Sequence, residues 1–271
     1  MLFRSHNEQG TLSATTLLKG EKEIVLYDRH FDELEQDAAD MVWASFGTAL
    51  HLLMEKQNDD AFKEEFFETQ VGEFKVTGRV DRYDLEHEIL EDWKTASTWK
   101  VIYQDFDDWK RQGLIYSWLM KQAGLTVRKC RFVALLKDHS KTKAKTEVSY
   151  PQKPVYVYEF GVTDADLEEI GAFIKNKVQK VTNAYQQDDD SIAPCSESER
   201  WATAPKFAVM KEGRKSAVKL FDNKDDARAM LSSLDDKHYL QERPGESKKC
   251  VDYCPCRDFC NFYKSIVAVG D

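Results

Sequence analysis

Long hydrophobic runs are missing from this 271-residue sequence, and no segment reaches the length that a membrane-spanning helix needs. The N-terminus lacks the charged-then-apolar pattern of a secretory signal peptide, and no internal repeat is visible. We therefore expect a cytoplasmic protein with no membrane partner, in a reducing environment where disulfides do not persist. A hydrophobic content of 42% is enough for a real core, and the length allows one large or two modest domains.

Positive charge is also in short supply. The 39 Lys and Arg residues are outnumbered by 48 Asp and Glu residues, which gives a formal net charge of -9. Proteins that bind nucleic acid typically carry a basic patch, so this balance argues mildly against that class. However, one predicted loop between two strands gathers lysines: Lys137, Lys141, Lys143, Lys145 and Lys153. Lys141, Lys143 and Lys145 could bind DNA phosphates there, or the loop could simply be solvated.

A predicted β-hairpin carries the most informative residues. Apolar and polar residues alternate over 74–81, which indicates a half-buried strand that ends at Asp81. After a polar turn at 86–87, a second strand carries Asp92 and Lys94 on one face. A hairpin symmetric about that turn places Asp81 opposite Asp92, with side-chain roots roughly 5 Å apart. Opposed carboxylates destabilise a sheet, so a cation is expected between them, and oxygen ligands suit Mg²⁺ or Mn²⁺.

An ordinary amphipathic hairpin with its polar face in water is the alternative, and a single D-x-K sequence does not exclude it. The combination is more specific: Gly78 stands three residues before Asp81, and a hydrophobic run then ends at Asp92 and Lys94. Glu91 is a rival for Asp92, but the alternation places it on the opposite face of the strand.

This combination resembles the PD-(D/E)xK nuclease superfamily, in its RecB-like branch. Residues 46–51 are similar to that branch's glycine-to-histidine helix, and residues 112–116 to its Q-x-x-x-Y helix, so four motifs stand in the family's order. The resemblance implies an α/β (α+β) fold with a restriction-endonuclease-like core, in which helices flank a central mixed sheet over about 12–187. Gly78 replaces the proline-like turn that normally precedes the first acidic motif.

The resemblance also implies which residues form the site. His51, Asp81, Asp92 and the backbone carbonyl of Trp93 would bind Mg²⁺ or Mn²⁺. Lys94 would orient the attacking water, help to deprotonate it, or balance charge on the phosphate. Without the resemblance, a histidine beside an apolar helix face would more often be a core residue.

Two further helices complete the implied site. Gln112 and Tyr116 lie one helical turn apart and would position the phosphate, the metal ligands or Lys94. Packing of the helix is the alternative role for Tyr116. On the upstream helix, Gly47 would allow close approach to the sheet, and an apolar stripe includes Val42, Trp43, Phe46, Leu50 and Leu53.

The implied function is a metal-dependent DNA nuclease that hydrolyses phosphodiester bonds. An exonuclease or end-processing enzyme of phage or bacterial recombination, replication or repair is expected, acting on linear ends or single strands in the bacterial or host cytoplasm. A structure-selective endonuclease is an alternative. A second alternative is a non-catalytic subunit that binds DNA or a protein partner. The intact acidic and lysine positions count against it, because a subunit without catalytic activity would be free to lose them. A protein partner in a recombination or replication complex could supply DNA affinity to an acidic chain.

The C-terminal region is rich in cysteine. Cys250, Cys254, Cys256 and Cys260 lie close together, and Cys195 lies upstream. In a reducing cytosol such thiols usually bind metal. Some RecB-like nucleases, including AddB and CRISPR-associated adaptation types, bind a [4Fe-4S] cluster near the C-terminus. That resemblance implies Cys195, Cys250, Cys254 and Cys260 as ligands, with Cys256 as the alternative fourth.

The cysteine pattern departs from those families in one respect. Their distant cysteine precedes the histidine helix, and no cysteine stands there in this sequence. A zinc ion bound by four cysteines is therefore the alternative to an iron-sulfur cluster. The Cys-Pro sequence at Cys254-Pro255 favours the cluster, because it also occurs in ferredoxin-type runs. Cys130, alone on a predicted strand, is expected to be a buried small hydrophobe.

A polar, acidic segment at 186–194 ends in proline and predicts a linker. We therefore expect a nuclease core at 1–190 and a C-terminal hairpin-helix and cysteine module at 191–271.

The other elements are predicted from periodicity and capping residues. In the core they are the start of a helix at 11–19 with Thr11 or Ser13 as cap, strands at 129–136 and 155–160, and a helix capped by Asp164 and extending to Tyr185. In the C-terminal module they are a hairpin at 207–221 and a helix at 222–231.

Overall fold

The computed structural model describes residues 10–35, 41–56 and 61–268. By internal contacts the chain divides into two compact units. In the described residues, the first unit contains 10–25, 35, 41–56 and 61–187, and the second contains 26–34 and 188–268. The first helix, α1 (Glu21–Arg29), includes the division between residues 25 and 26. The predicted domain limit at residue 190 remains a prediction.

A mixed six-stranded sheet forms the centre of the first unit. The neighbouring strands are ordered β1-β3-β4-β5-β6, and β2 pairs with β3. The pairs β1-β3 and β4-β5 are parallel, and the others are antiparallel. The strands are β1 (Thr11–Ser13), β2 (Phe62–Val71), β3 (Phe74–Asp84), β4 (Ile89–Ala96), β5 (Lys129–Leu136) and β6 (Val155–Gly161).

The long strand β3 has two successive partners on one edge. Strand β2 pairs with it from Phe74 to Tyr83, so β1 and β4 must share the opposite edge. On that edge β1 pairs with residues 75–77 and β4 with residues 82–84. No strand in the described residues pairs with the intervening residues 78–81 there, and these include Gly78 and Asp81. The sheet therefore opens where the predicted active-site motif lies.

Helices flank this sheet, so the predicted fold class is confirmed. They are α2 (Val42–Glu55), α3 (Thr98–Ile102), α4 (Asp107–Gln122), α5 (Lys141–Thr146) and α6 (Asp164–Tyr185). The core combines strand residues with α4 and α6, and it includes Val76, Val80, Leu90, Ile115, Leu119, Phe132, Ile174 and Val178. None of the helices in the described residues combines the length and apolar character that crossing a bilayer requires.

The second unit contains a smaller antiparallel sheet of order β8-β7-β9. Its core includes Phe207, Val209 and Ala227. The elements are β7 (Lys206–Lys211), β8 (Lys219–Phe221), α7 (Lys224–Leu231), β9 (His238–Arg243) and α8 (Asn261–Ala268). The predicted hairpin and following helix are confirmed, whereas β9 was not predicted.

Three local predictions are wrong. Residues 11–13 form β1 because they pair with β3, and Ser13 Oγ instead accepts a hydrogen bond from Thr16 N (3.1 Å) at a short 3₁₀ helix. Thr163, not Asp164, caps α6, in a capping box with Asp166. The predicted lysine-rich loop contains α5.

Candidate active site

His51 and Asp81 are in direct contact. His51 Nδ1 lies 3.2 Å from Asp81 Oδ1, and His51 Nε2 lies 2.9 Å from the carbonyl oxygen of Trp93. The other Asp81 oxygen accepts a hydrogen bond from Trp93 N (2.6 Å), because the β3-β4 ladder has opened at this point. The hydrogen bond to Asp81 raises the pKa of His51 to about 9, against the opposing effect of burial. Three predicted ligand groups therefore meet around one imidazole.

Glu64 joins this group from β2. Its Oε1 lies 3.8 Å from His51 Nδ1, and one ligand atom each from His51, Glu64 and Asp81 lies within 4.8 Å of the others. The neighbours of Glu64 pair with Arg82 and Val80, so Glu64 lies across from Asp81. Its φ of 52° is in the left-handed region, which is strained for a residue other than glycine. Strain of this kind is concentrated at functional sites.

The sequence analysis missed Glu64. Aromatic residues around it, in Phe62 to Phe67, favour a strand and could have revealed β2. No pattern in that segment distinguishes Glu64 from Glu65, since the left-handed backbone at Glu64 disturbs the simple alternation of faces.

Buried Asp92 and half-buried Lys94 form an ion pair beside this group. Lys94 Nζ lies 2.6 Å from Asp92 Oδ2, and Asp92 is only 3% exposed. Although this contact is short, Asp92 Oδ2 accepts no well-oriented hydrogen bond in the described part of the chain. Burial raises the pKa of Asp92, Lys94 opposes that rise, and the Asp81 carboxylate adds to it. Asp92 therefore has a buried oxygen atom suited to a cation, although it is not a member of the His51–Glu64–Asp81 group.

The predicted hairpin register is observed from Arg82 to Asp84, where Arg82 pairs with Glu91 and Tyr83 with Leu90. The ladder ends at Arg82, so the predicted pair of Asp81 with Asp92 is not part of it. Glu91 contacts Arg82 and Arg131, at 2.7 Å in each case, and these contacts lie away from Lys94. The alternation of faces that favours Asp92 over Glu91 is therefore present in the structure.

Helix α4 brings Gln112 and Tyr116 to the same place. Gln112 Nε2 donates to the Tyr116 hydroxyl (2.9 Å) and, at a longer 3.4 Å, to Asp92 Oδ1. Burial, with a smaller contribution from Asp92, raises the pKa of Tyr116 above its ordinary range. The hydroxyl therefore stays protonated, and Gln112, which is hydrogen-bonded to Tyr116, can hold Asp92 in position.

The glycine that allows close helix-sheet approach is Gly78. A Cβ atom at Gly78 would lie 2.8 Å from Tyr116 Cδ1 and 2.8 Å from Leu119 Cδ1. A Cβ atom at Gly47 would have only Thr95 Oγ1 within 4 Å, at 3.9 Å. The structure therefore does not support the close-approach role predicted for Gly47.

Three other predicted features lie outside this group. Lys141, Lys143 and Lys145 are exposed on α5, where Lys143 Nζ lies 5.9 Å from the centre of the Tyr150 ring. Cys130 is fully buried on β5, beside Ser117 Oγ at 3.3 Å. The apolar stripe predicted on α2 is largely exposed, at Val42, Trp43, Phe46 and Leu53.

The remaining cysteines all lie in the second unit, and no disulfide joins any of the described cysteines. Cys250 has a raised pKa, first because of partial burial and then because the Cys254 and Cys260 thiols are near. Cys256 is buried, whereas Cys195, Cys250, Cys254 and Cys260 are partly exposed. No three sulfurs of the described cysteines lie within 4.8 Å of one another. Four thiolates around zinc would be only about 3.8 Å apart, so the described cysteines are not arranged as a preformed zinc site.

No protein-family model matches the chain, and no curated protein matches it. Solved structures that resemble it include SSO0001, with 23% identity, a TM-score of 0.46, and coverage of 64% of this chain and 77% of the other. A phage-related exonuclease from Haemophilus somnus 129PT has 15% identity and a TM-score of 0.42, covering 63% and 92%. An alkaline exonuclease from Laribacter hongkongensis has 12% identity and a TM-score of 0.41, covering 65% and 90%. Values this low do not assign the chain to a family, so its function has to be inferred from the site.

Proposed function

We propose that the protein is a divalent-metal-dependent DNA nuclease that hydrolyses phosphodiester bonds. The observation that supports this best is the meeting of the His51–Glu64–Asp81 group with the Asp92–Lys94 pair where the sheet opens. Carboxylate oxygens and one imidazole are suitable ligands for Mg²⁺ or Mn²⁺. Asp92, with its incompletely satisfied buried oxygen, and the Trp93 carbonyl would complete the ligand set. When bound, the ion would polarise the phosphate and lower the pKa of a water.

The protein side chains would then perform distinct tasks. Lys94 carries a positive charge next to Asp92 and can stabilise the negative charge that develops on the phosphate. Gln112 holds Asp92 and Tyr116 through its amide, which fixes the orientation of that carboxylate. Asp81 fixes the backbone of β4 at Trp93, so the two strands that carry the acids stay in register.

Digestion of DNA tests this proposal. We expect end-labelled linear DNA to be degraded with Mg²⁺ or Mn²⁺ and closed circular DNA to be spared, as an exonuclease or end-processing enzyme requires. Cleavage of the closed circle at branches or bubbles would favour the structure-selective endonuclease. Binding without cleavage under either metal would favour the non-catalytic subunit, and the proposal would then be wrong.

The ligand set leads to a prediction about metal affinity. His51→Ala and Glu64→Gln are each expected to weaken Mn²⁺ binding by about tenfold or more, because each removes a ligand or its charge. Calorimetric titration of Mn²⁺ measures this effect, and the melting temperature of the metal-free protein shows whether the fold is intact. Glu65→Gln is the matched control, since Glu65 is the exposed neighbour of Glu64 on β2. A lower melting temperature with unchanged Mn²⁺ affinity would make His51 a structural residue.

We further propose a [4Fe-4S] cluster on Cys195, Cys250, Cys254 and Cys260. Protein purified without oxygen is then expected to be brown, and Cys250→Ser or Cys260→Ser to bleach it and destabilise the second unit. Cys195→Ser and Cys256→Ser are a matched pair, of which only the variant that removes the fourth ligand should bleach the colour. Colourless protein with one equivalent of zinc would favour the zinc alternative, and colourless, metal-free, folded protein would contradict both.

The biological setting is also part of the proposal. Phage or bacterial recombination, replication or repair would use an enzyme that processes linear ends or single strands. The net charge of -9 is unfavourable for DNA binding at long range, so a protein partner in such a complex could increase DNA affinity.

A further inference from the structure

Two large aromatic rings are exposed immediately beyond the strand that carries Asp92 and Lys94. Trp99 is 53% exposed and lies in the short helix that follows β4, and Tyr103, the C-cap of that helix, is 72% exposed. Their ring centres lie 5.6 Å apart with an interplanar angle of 19°, so the rings are stacked. Exposed aromatic surface of this size is costly in water and commonly marks a binding site.

This aromatic pair is held on a fixed support. Asp138 accepts hydrogen bonds from Ser97 Oγ (2.6 Å) and Thr98 N (2.7 Å), which attaches the start of α3 to the end of β5. Only residues 95–98 separate Lys94 from Trp99, so their Cα atoms are at most about 18 Å apart. A single strand of a few nucleotides can therefore extend from the catalytic group to these rings, since even the stacked strand of a duplex rises about 3.4 Å per nucleotide.

A groove next to Trp99 has one basic residue, Lys143, in its lining. Its volume is about 380 Å³, within the range of ligand-binding pockets. It is lined by Trp99 and Ile102 on one side and by Lys143 and Tyr150 on the other. Lys141 and Lys145 are exposed on the same short helix as Lys143. The acidic residues that line the groove are Asp138 and Glu147, and the Asp138 carboxylate is engaged with Ser97 and Thr98.

We propose that the groove between α3 and α5 binds single-stranded DNA, with bases stacked on Trp99 and Tyr103 and phosphates near Lys143. This inference rests on the proposed nuclease function, and it assigns the unpaired strand as the substrate form that the site holds. Flat exposed rings recognise unpaired bases, because the bases of a duplex are already stacked on one another. Stacking also suits a chain with a net charge of -9, since it does not depend on a large basic surface.

Binding measured in EDTA tests the groove separately from cleavage. A fluorescent oligodeoxythymidylate is compared with an abasic oligonucleotide and a duplex of the same length, using the full chain. Trp99→Ala and Tyr103→Ala are each expected to weaken thymidylate binding on the order of tenfold, with little change for the abasic strand. Trp99→Phe should retain most of the affinity. Lys143→Gln should weaken both single strands and lower the salt slope by about 0.7.

Trp201→Ala is the matched control, because Trp201 is 52% exposed and lies in the second unit. It should bind thymidylate like the wild type. Wild-type thymidylate binding by folded Trp99→Ala and Tyr103→Ala, an equal loss for the abasic strand, or tighter binding of the duplex would each overturn the groove assignment. Stacking-dependent binding by a protein that cleaves nothing with Mg²⁺ or Mn²⁺ would instead contradict the nuclease proposal and leave the groove in place.

Discussion

Asp92→Asn and Lys94→Ala are each expected to lower the rate of DNA cleavage by about a hundredfold or more while the protein stays folded. Asp92→Asn keeps the size of the buried side chain but removes the charge that a cation would need. Lys94→Ala removes the cation 2.6 Å from that carboxylate, which is positioned to stabilise charge on the phosphate. Initial rates on end-labelled linear DNA measure the effect, and thermal melting shows whether each variant is folded.

Glu91→Gln is the control that the strand itself provides. Glu91 precedes Asp92 but pairs with Arg82 and Arg131, so its loss should leave most of the cleavage rate in place. The amide oxygen can still accept a hydrogen bond from one arginine, but its NH2 group replaces the acceptor of the other, so thermal melting is needed to separate stability from activity. An inactive Glu91→Gln together with an active Asp92→Asn would mean that the catalytic face of β4 has been assigned incorrectly.

Much of the central sheet could be predicted because its signals are local. Strands β3, β4, β5 and β6 alternate or carry apolar runs between clear turns, and the pairing of β3 with β4 follows from a short symmetric hairpin. Helices α4 and α6 are likewise long and periodic. Asp81, Asp92 and Lys94 could therefore be placed near one another before the structure was known, although their roles remain proposals.

The errors and omissions have tertiary causes. Residues 11–13 form a strand only because the edge of β3 accepts them in parallel, which overrides the local helical signal. Glu64 joins the His51–Glu64–Asp81 group through a left-handed φ and through β2, neither of which leaves a distinctive sequence pattern. The apolar stripe of α2 predicts burial by its periodicity, yet Trp43 and Phe46 are exposed. Periodicity indicates which residues share a face, but it does not show what covers that face.

Gly78→Ala is expected to lower the free energy of unfolding by about 2 kcal/mol and to reduce cleavage strongly. The added methyl group would lie 2.8 Å from atoms of Tyr116 and Leu119, both of which are buried and cannot turn into solvent. Helix α4 or its side chains would have to move, and Tyr116 is hydrogen-bonded to Gln112, which contacts Asp92. Chemical denaturation and cleavage of linear DNA measure the two effects.

Gly161→Ala is the matched control, because Gly161 ends β6 and its added Cβ would approach no described atom more closely than Arg128 O, at 3.9 Å. Its free energy of unfolding should stay within about 0.5 kcal/mol of the wild type. If Gly78→Ala matched the wild type in both measurements, α4 could not be packed this closely on β3. Because Gln112 contacts both Tyr116 and Asp92 from that packed position, its proposed role in orienting the carboxylate would fail as well.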